Sequence, residues 1–172
     1  MSQTKTCTKC TIEKPVTEFG VASATKKDGY NSWCKQCCRD SSKRNSKTAS
    51  GIYSGIKSRQ RYCTKHLPRR HKPFIISREE FIEWYEKQER RCVYCDVPEE
   101  KLDDYFDAYN VRSNRLTIDC VDNDRGYVGG NLVLSCKRCN DTKSDLFSFD
   151  EMRYIGETFI KPKWERLLRE QR

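Results

Sequence analysis

Apolar side chains along this chain come in short, separated groups, and their spacing predicts several small elements. The clearest helix start is Ser77-Arg-Glu-Glu80. It is a capping box, with Ile76 and Phe81 placed for a hydrophobic staple across it. Phe81, Ile82, Trp84 and Tyr85 then share one apolar face, so these aromatics read as core rather than as platforms for stacked bases. Further on, Leu116-Thr-Ile-Asp-Cys120 reads as a strand, residues 122–130 as a glycine-containing loop, and Asn131-Leu-Val-Leu134 as a second strand. Residues 136–144 should turn into a helix, giving β–loop–β–α. A second capping box, Ser148-Phe-Asp-Glu151, precedes a last helix that starts near Pro162 and packs through Trp164, Leu167 and Leu168. Residues 97–111 are acidic and tyrosine-rich, a helix or an irregular loop to which no chemistry is assigned.

Composition makes a large core implausible. Only 35% of the 172 residues are apolar and 34% are charged, with a mean hydropathy of −0.93. A fold so thin in apolar material needs staples. Eleven cysteines supply them. Residues 1–10 lack the apolar segment of a secretory leader and no 18-residue apolar run exists, so secretion and membrane insertion are not expected. The expected setting is cytoplasmic and reducing, where paired cysteines hold metal. Cys7-Thr-Lys-Cys10 is answered by Cys34-Lys-Gln-Cys37, and Cys92-Val-Tyr-Cys95 by Cys136-Lys-Arg-Cys139. Each pair of turns offers four thiolates to one structural Zn²⁺, giving two sites. Cys38 competes with Cys37 for a place, and Cys63-Thr-Lys-His66 is a half-site without a partner.

Charge divides the chain. Residues 1–75 hold 17 basic and 4 acidic side chains, a balance of +13, whereas residues 76–172 hold 17 and 21, a balance of −4. The N-terminal half is suited to a polyanion. Residues 39–72 are rich in Ser, Lys, Arg and Asn and read as a basic linker, with residues 52–62 able to form a helix on nucleic acid. The expected organisation is a zinc ribbon over 1–40, a basic linker over 41–75 and a zinc-stabilised domain over 76–172, together a small α+β protein.

The segment from Leu116 to Asp145 resembles the HNH, or ββα-metal, nucleases. The matching features are Asp119 at the end of the first strand, the glycine-bearing loop, Asn131-Leu132 opening the second strand, and Cys136-x-x-Cys139-Asn140-x-x-Lys143 entering the helix. An N-terminal zinc ribbon followed by a basic linker is similar to many phage-encoded HNH endonucleases, for which the host cytoplasm would be the setting. The resemblance implies a ββα-metal finger with flanking helices that cleaves double-stranded DNA. It implies one catalytic divalent ion, Mg²⁺ or Mn²⁺, held by Asp119 and Asn140, with oxygen ligands suited to a hard cation. Asn131 would hold the loop in shape. Arg138 and Lys143, with Lys43, Arg44, Lys47, Arg59, Arg61, Arg69 and Arg70 upstream, would contact DNA.

One position departs from the pattern. The water-activating histidine of the family normally follows the aspartate, and here that residue is Cys120. A thiol with an ordinary pKa of ~8.5 is a poor general base at neutral pH and prefers soft metals. The segment from Asp119 to Tyr127 also looks like an HNH subset that reads D-R-x-D-N-x-x-G-Y and lacks the same histidine, although Cys120 replaces its arginine. An extended chain through Asp122 would put that carboxylate on the face of Cys120, ~6.6 Å further on, able to orient the attacking water. Asp124 is expected to cap the turn before Gly126. Neither His66 nor His71 lies in the motif. The readings in play are therefore a DNA endonuclease, a nucleic-acid-binding protein that kept the scaffold and lost catalysis, and a pair of zinc modules for protein contacts.

Overall fold

The computed structural model of the chain describes residues 3–22, 28–107 and 115–170. It divides into two compact units, Met1–Ile52 and Tyr53–Arg172. In the first, strands β1 (Thr4–Thr6) and β2 (Glu13–Pro15) form one antiparallel pair, and β3 (Phe19–Val21) and β4 (Tyr30–Cys34) form another. Helix α1 (Lys35–Asn45) follows directly from β4. The centre of this unit consists of Cys7, Phe19 and Cys34, with Cys10, Tyr30 and Cys37 packed around them. Four of these six residues are cysteines, so little apolar surface is available to hold the unit together without the sulfurs.

Helix α2 (Ala49–His66) spans the boundary between the units. Residues 41–75 are thus largely helical where the composition suggested a linker. The reason is a stripe at helical spacing: Tyr53, Gln60 and Cys63 are buried and Ile56 is half-buried. Tyr53 packs against Phe74 and Phe81, with ring centroids 5.1 and 5.6 Å away. The basic residues of α2 lie on the remaining, exposed face.

Within Tyr53–Arg172, α3 (Arg78–Glu86) begins at the capping box, with the Ser77 hydroxyl accepting from the Glu80 N–H. The next cysteine turn leads to a short 3-10 turn at Glu99–Lys101 and α4 (Leu102–Asp107). The rest of the 97–111 segment lies outside the described residues. Strands β5 (Thr117–Cys120) and β6 (Leu132–Ser135) pair antiparallel, with Asp119 opposite Val133 and Cys120 opposite Leu132. Helix α5 (Lys137–Lys143) packs on β5, completing the expected ββα unit. The chain then continues through α6 (Phe149–Ile155), a π-helical turn (Gly156–Ile160) and α7 (Lys161–Glu170). Gly156 is required where this turn crosses the cysteine knuckle: an added Cβ would stand 2.3 Å from the Tyr94 carbonyl oxygen.

The β5–β6 loop is shaped by one side chain. Asn131 is fully buried, and its amide donates to the carbonyls of Asp122 at 2.8 Å and Gly126 at 2.7 Å while its oxygen accepts the Asp122 N–H at 3.0 Å. The loop also meets the chain ahead of α3, where Tyr127 donates to Pro73 and accepts from Ile75 and Ile76 through the backbone. Gly126, at φ 66°, permits that approach; a Cβ there would lie 2.4 Å from the Pro73 oxygen. Replacing Asn131 with Ala would strand three backbone groups, of which the Gly126 carbonyl is buried and costs about 1–3 kcal/mol, while the two of Asp122 are partly open to water and cost less. The expected result is a clear fall in the thermal midpoint, only partly recovered in Asn131→Asp, which restores the acceptor alone.

Candidate functional site

The two cysteine groups are built alike. In each, a C-x-x-C turn is closed by backbone bonds: Thr11 N–H to Cys7 O at 2.8 Å and Cys7 N–H to Ile12 O at 3.0 Å, matched by Asp96 to Cys92 at 2.8 Å and Cys92 to Val97 at 3.0 Å. Thr11 and Asp96, each following the second cysteine, adopt left-handed φ values of 58° and 61° to close the turn. The second pair of each group opens a helix, with Cys34 and Cys136 as N-caps of α1 and α5. Helix N-termini favour negative charge, as a thiolate supplies. The four Sγ atoms of each group lie within 4.8 Å of one another, with Cys7–Cys37 at 3.9 Å and Cys95–Cys136 at 3.8 Å. Tetrahedral Zn–S bonds of ~2.3 Å give S···S edges of ~3.8 Å, so both groups fit a structural zinc. Neither includes Cys38 or Cys63.

The ββα unit carries a third cluster. Residues 136, 139, 140 and 143 fall on one face of α5, so the face that presents the sulfurs also presents Asn140 and Lys143 to β5. Asn140 donates to the Thr117 hydroxyl at 2.9 Å and the Ile118 carbonyl at 3.4 Å. Lys143 lies 3.6 Å from Asp119 Oδ2 and donates to the Cys120 carbonyl at 2.9 Å and to Asn123 Oδ1 at 3.4 Å. Asp119 is 4% exposed and Lys143 1%. Tyr94, from the middle of the cysteine knuckle, donates to Asp119 Oδ2 at 2.7 Å, while Oδ1 accepts the Cys120 N–H at 2.8 Å. Burial first, and then the Asp119 charge, push the Tyr94 hydroxyl well above the ordinary range, so it remains a donor.

On the opposite face of β5, Cys120 is fully buried. Burial pushes its thiol up to about 11, with Lys72 and Lys143 opposing the shift and Asp119 and Asp122 adding to it. Cys120 is thus out of reach of solvent, and its burial favours the protonated thiol. The Tyr127 hydroxyl is also raised, chiefly by burial, next by Cys120 and Asp119, with Arg59 and a Gln60 hydrogen bond opposing. Lys72 bridges this region: its N–H donates to Gln60 Oε1 at 2.8 Å and its ammonium to Asn123 Oδ1 at 2.5 Å.

Several expectations change. β5 ends at Cys120, so the extended path through Asp122 is not present; Asp122 is an exposed turn residue whose Oδ1 caps Asp124 and Arg125. It thus does the turn-capping expected of Asp124. Lys143 faces inward and does not reach a solvent-borne phosphate, because helical spacing groups it with Cys136 and Cys139. Lys43, Arg44 and Lys47 are exposed in the first unit, Arg59, Arg61, Arg69 and Arg70 are exposed in the second, and Arg138 is half-buried. Tyr94, Lys72, Asn123, Gln60 and Tyr127 were missed. The α2 stripe gives a sequence signal for Gln60; Lys72 and Asn123 meet across 51 positions, which no local pattern shows.

As folded, Asp119 is not open to a divalent cation: both its oxygens accept hydrogen bonds and its charge faces a buried ammonium. The contacts of Asn140 to β5 are made by its amide nitrogen, not by the oxygen that would ligate a metal. An ion ~2.1 Å from Asp119 Oδ2 would stand at most ~6 Å from the Lys143 nitrogen, where repulsion at an effective dielectric of ~20 costs about 5 kcal/mol.

A ββα hairpin closed by four cysteines, preceded by a second four-cysteine unit, is the framework of the chain, and both cysteine groups could hold zinc. No protein-family model matches the chain, nor does any curated protein. The solved structure of PacI, a rare-cutting HNH restriction endonuclease, covers 96% of this chain and 97% of its own at a TM-score of 0.53 and 21% identity. The chain therefore shares the fold of that endonuclease over nearly its whole length. Among the described residues, no helix is long and apolar enough to cross a membrane.

The two cysteine groups differ in burial: all four sulfur-bearing residues of the second are buried, whereas Cys10 and Cys37 of the first are partly exposed. Elemental analysis is expected to find two zinc ions per chain. A chromogenic chelator should release them in two phases, and Cys10→Ser should remove the faster one.

Proposed function

We propose that this protein hydrolyses phosphodiester bonds in double-stranded DNA. The observation that supports this reading is the likeness to an HNH restriction endonuclease over 96% of the chain, combined with Asp119 at the head of the ββα unit. The exposed bases of residues 43–70 bring the phosphate backbone to the protein, and their neutralisation makes binding steeply salt-dependent. Lys72 and Arg70 lie on the loop that approaches Asn123 and Asp145, where both help to lower the Asp145 carboxyl, although its Ser144 hydrogen bond is the larger cause. A phosphate at that rim would meet two positive side chains.

Asp122 is the carboxylate beside Cys120 that faces solvent, so it is assigned the orientation of the attacking water. Cys120, Asn131 and Asn140 support the strand and loop around it, and Asp119 positions Tyr94 and Lys143. The fold resemblance implies a divalent ion at Asp119 and Asn140; Lys143 stands against it, and the assay decides the requirement directly. A second reading, a DNA-binding protein without cleavage, is favoured by the buried, protonated Cys120.

The test is incubation of the zinc-loaded protein with supercoiled plasmid in Mg²⁺, Mn²⁺ or EDTA. Open circles are expected with the native protein. Asp122→Asn should cut more slowly by about 10²-fold or more, Cys120→Ala should retain cleavage, and Asp119→Asn, which leaves the buried Lys143 ammonium without its carboxylate, should lose cleavage and lower the thermal midpoint. Retarded but uncut DNA in every arm selects the second reading.

A further inference from the structure

The buried surroundings of the Lys143 ammonium resemble a cation site in all but the cation. Asp119 Oδ2, the Cys120 carbonyl and Asn123 Oδ1 converge on it at 3.6, 2.9 and 3.4 Å. These are a carboxylate, a backbone carbonyl and a side-chain amide oxygen, the donor types that hold hard metal ions. The Lys72 ammonium shares Asn123 Oδ1 at 2.5 Å, adding a second positive charge at the rim. The lysine stem is held in place by the zinc-bearing face of α5, so its position is fixed by the same helix that closes the fold.

We infer that Lys143 is the resident cation of this site: its ammonium takes the place among these oxygens that a divalent ion would occupy and keeps such ions off Asp119 in the free protein. A metal reaches Asp119 only after Lys143 has left it. Removing the ammonium while keeping its length and apolar stem, as in Lys143→Met, frees the Cys120 carbonyl and leaves the Asp119 carboxylate without its buried counter-charge, with the Asn123 oxygen still shared by Lys72 at the rim, and so opens a divalent-cation site. This inference rests on the surroundings of Asp119 and not on the nuclease reading, and it holds whether or not the chain cuts DNA.

The test is titration of the zinc-loaded, full-length protein with Mn²⁺, reading free Mn²⁺ by electron paramagnetic resonance. Native protein and Asp119→Asn should bind indistinguishably. Lys143→Met should gain a site at least about tenfold tighter than any in the native protein, and the gain should vanish in Lys143→Met combined with Asp119→Asn. Native binding that Asp119→Asn removes overturns the inference, as does a Lys143→Met protein with retained zinc and native circular dichroism that gains nothing. Should Lys143→Met not fold, the comparison of native protein with Asp119→Asn decides alone. None of these readouts depends on cleavage, so a failure here is separate from a failure of the proposed activity.

Discussion

The four sulfurs of Cys92, Cys95, Cys136 and Cys139 tie together the parts of the second unit that carry chemistry. They join the knuckle to the first turn of α5, and both ends of that link have further attachments. The knuckle adds to the sheet through Val93 N–H to the Leu134 carbonyl at 2.9 Å, and Trp164 of α7 donates to the Cys95 carbonyl at 2.9 Å. Lys161 holds Asp96 at 2.9 Å. A chain with so little apolar surface depends on such cross-links, because burial at ~25 cal/mol per Å² does not by itself offset the entropy of ordering small elements.

Fixing α5 also fixes the electrostatics of the centre. The helix turn that places Cys139 against the other sulfurs places Lys143 one turn further on, under β5, beside Asp119. A buried carboxylate without a partner would be strongly disfavoured, and so would a buried ammonium; together, with Tyr94 and the Cys120 carbonyl, each satisfies the other. The zinc-type knuckle contributes Tyr94 directly to this arrangement. Structural staple and candidate chemistry are therefore one connected assembly, and a change in the sulfurs would be felt at Asp119.

The whole-chain likeness to PacI at 21% identity shows how little sequence this scaffold requires. At Cys120 the side chain points into the protein, and burial pushes its thiol up.

The cysteine pairs, the two capping boxes and the alternation around residues 116–134 determined the zinc-type groups, the helix starts and the ββα order, because each depends on contacts between residues near in sequence or on ligand chemistry with fixed spacing. The loop-holding role of Asn131 was an implication of the family resemblance and not of any local pattern. Composition gave residues 41–75 as a basic linker with a helix possible over 52–62, but abundant Lys, Arg and Ser concealed the buried stripe of Tyr53, Gln60 and Cys63. Only the tertiary structure decided which way Lys143 faces in its surroundings, that β5 stops before Asp122, and that Lys72 and Tyr94 converge on the centre from elements 22 residues apart. Those outcomes are set by packing and charge compensation between distant segments, which no local pattern of residues encodes.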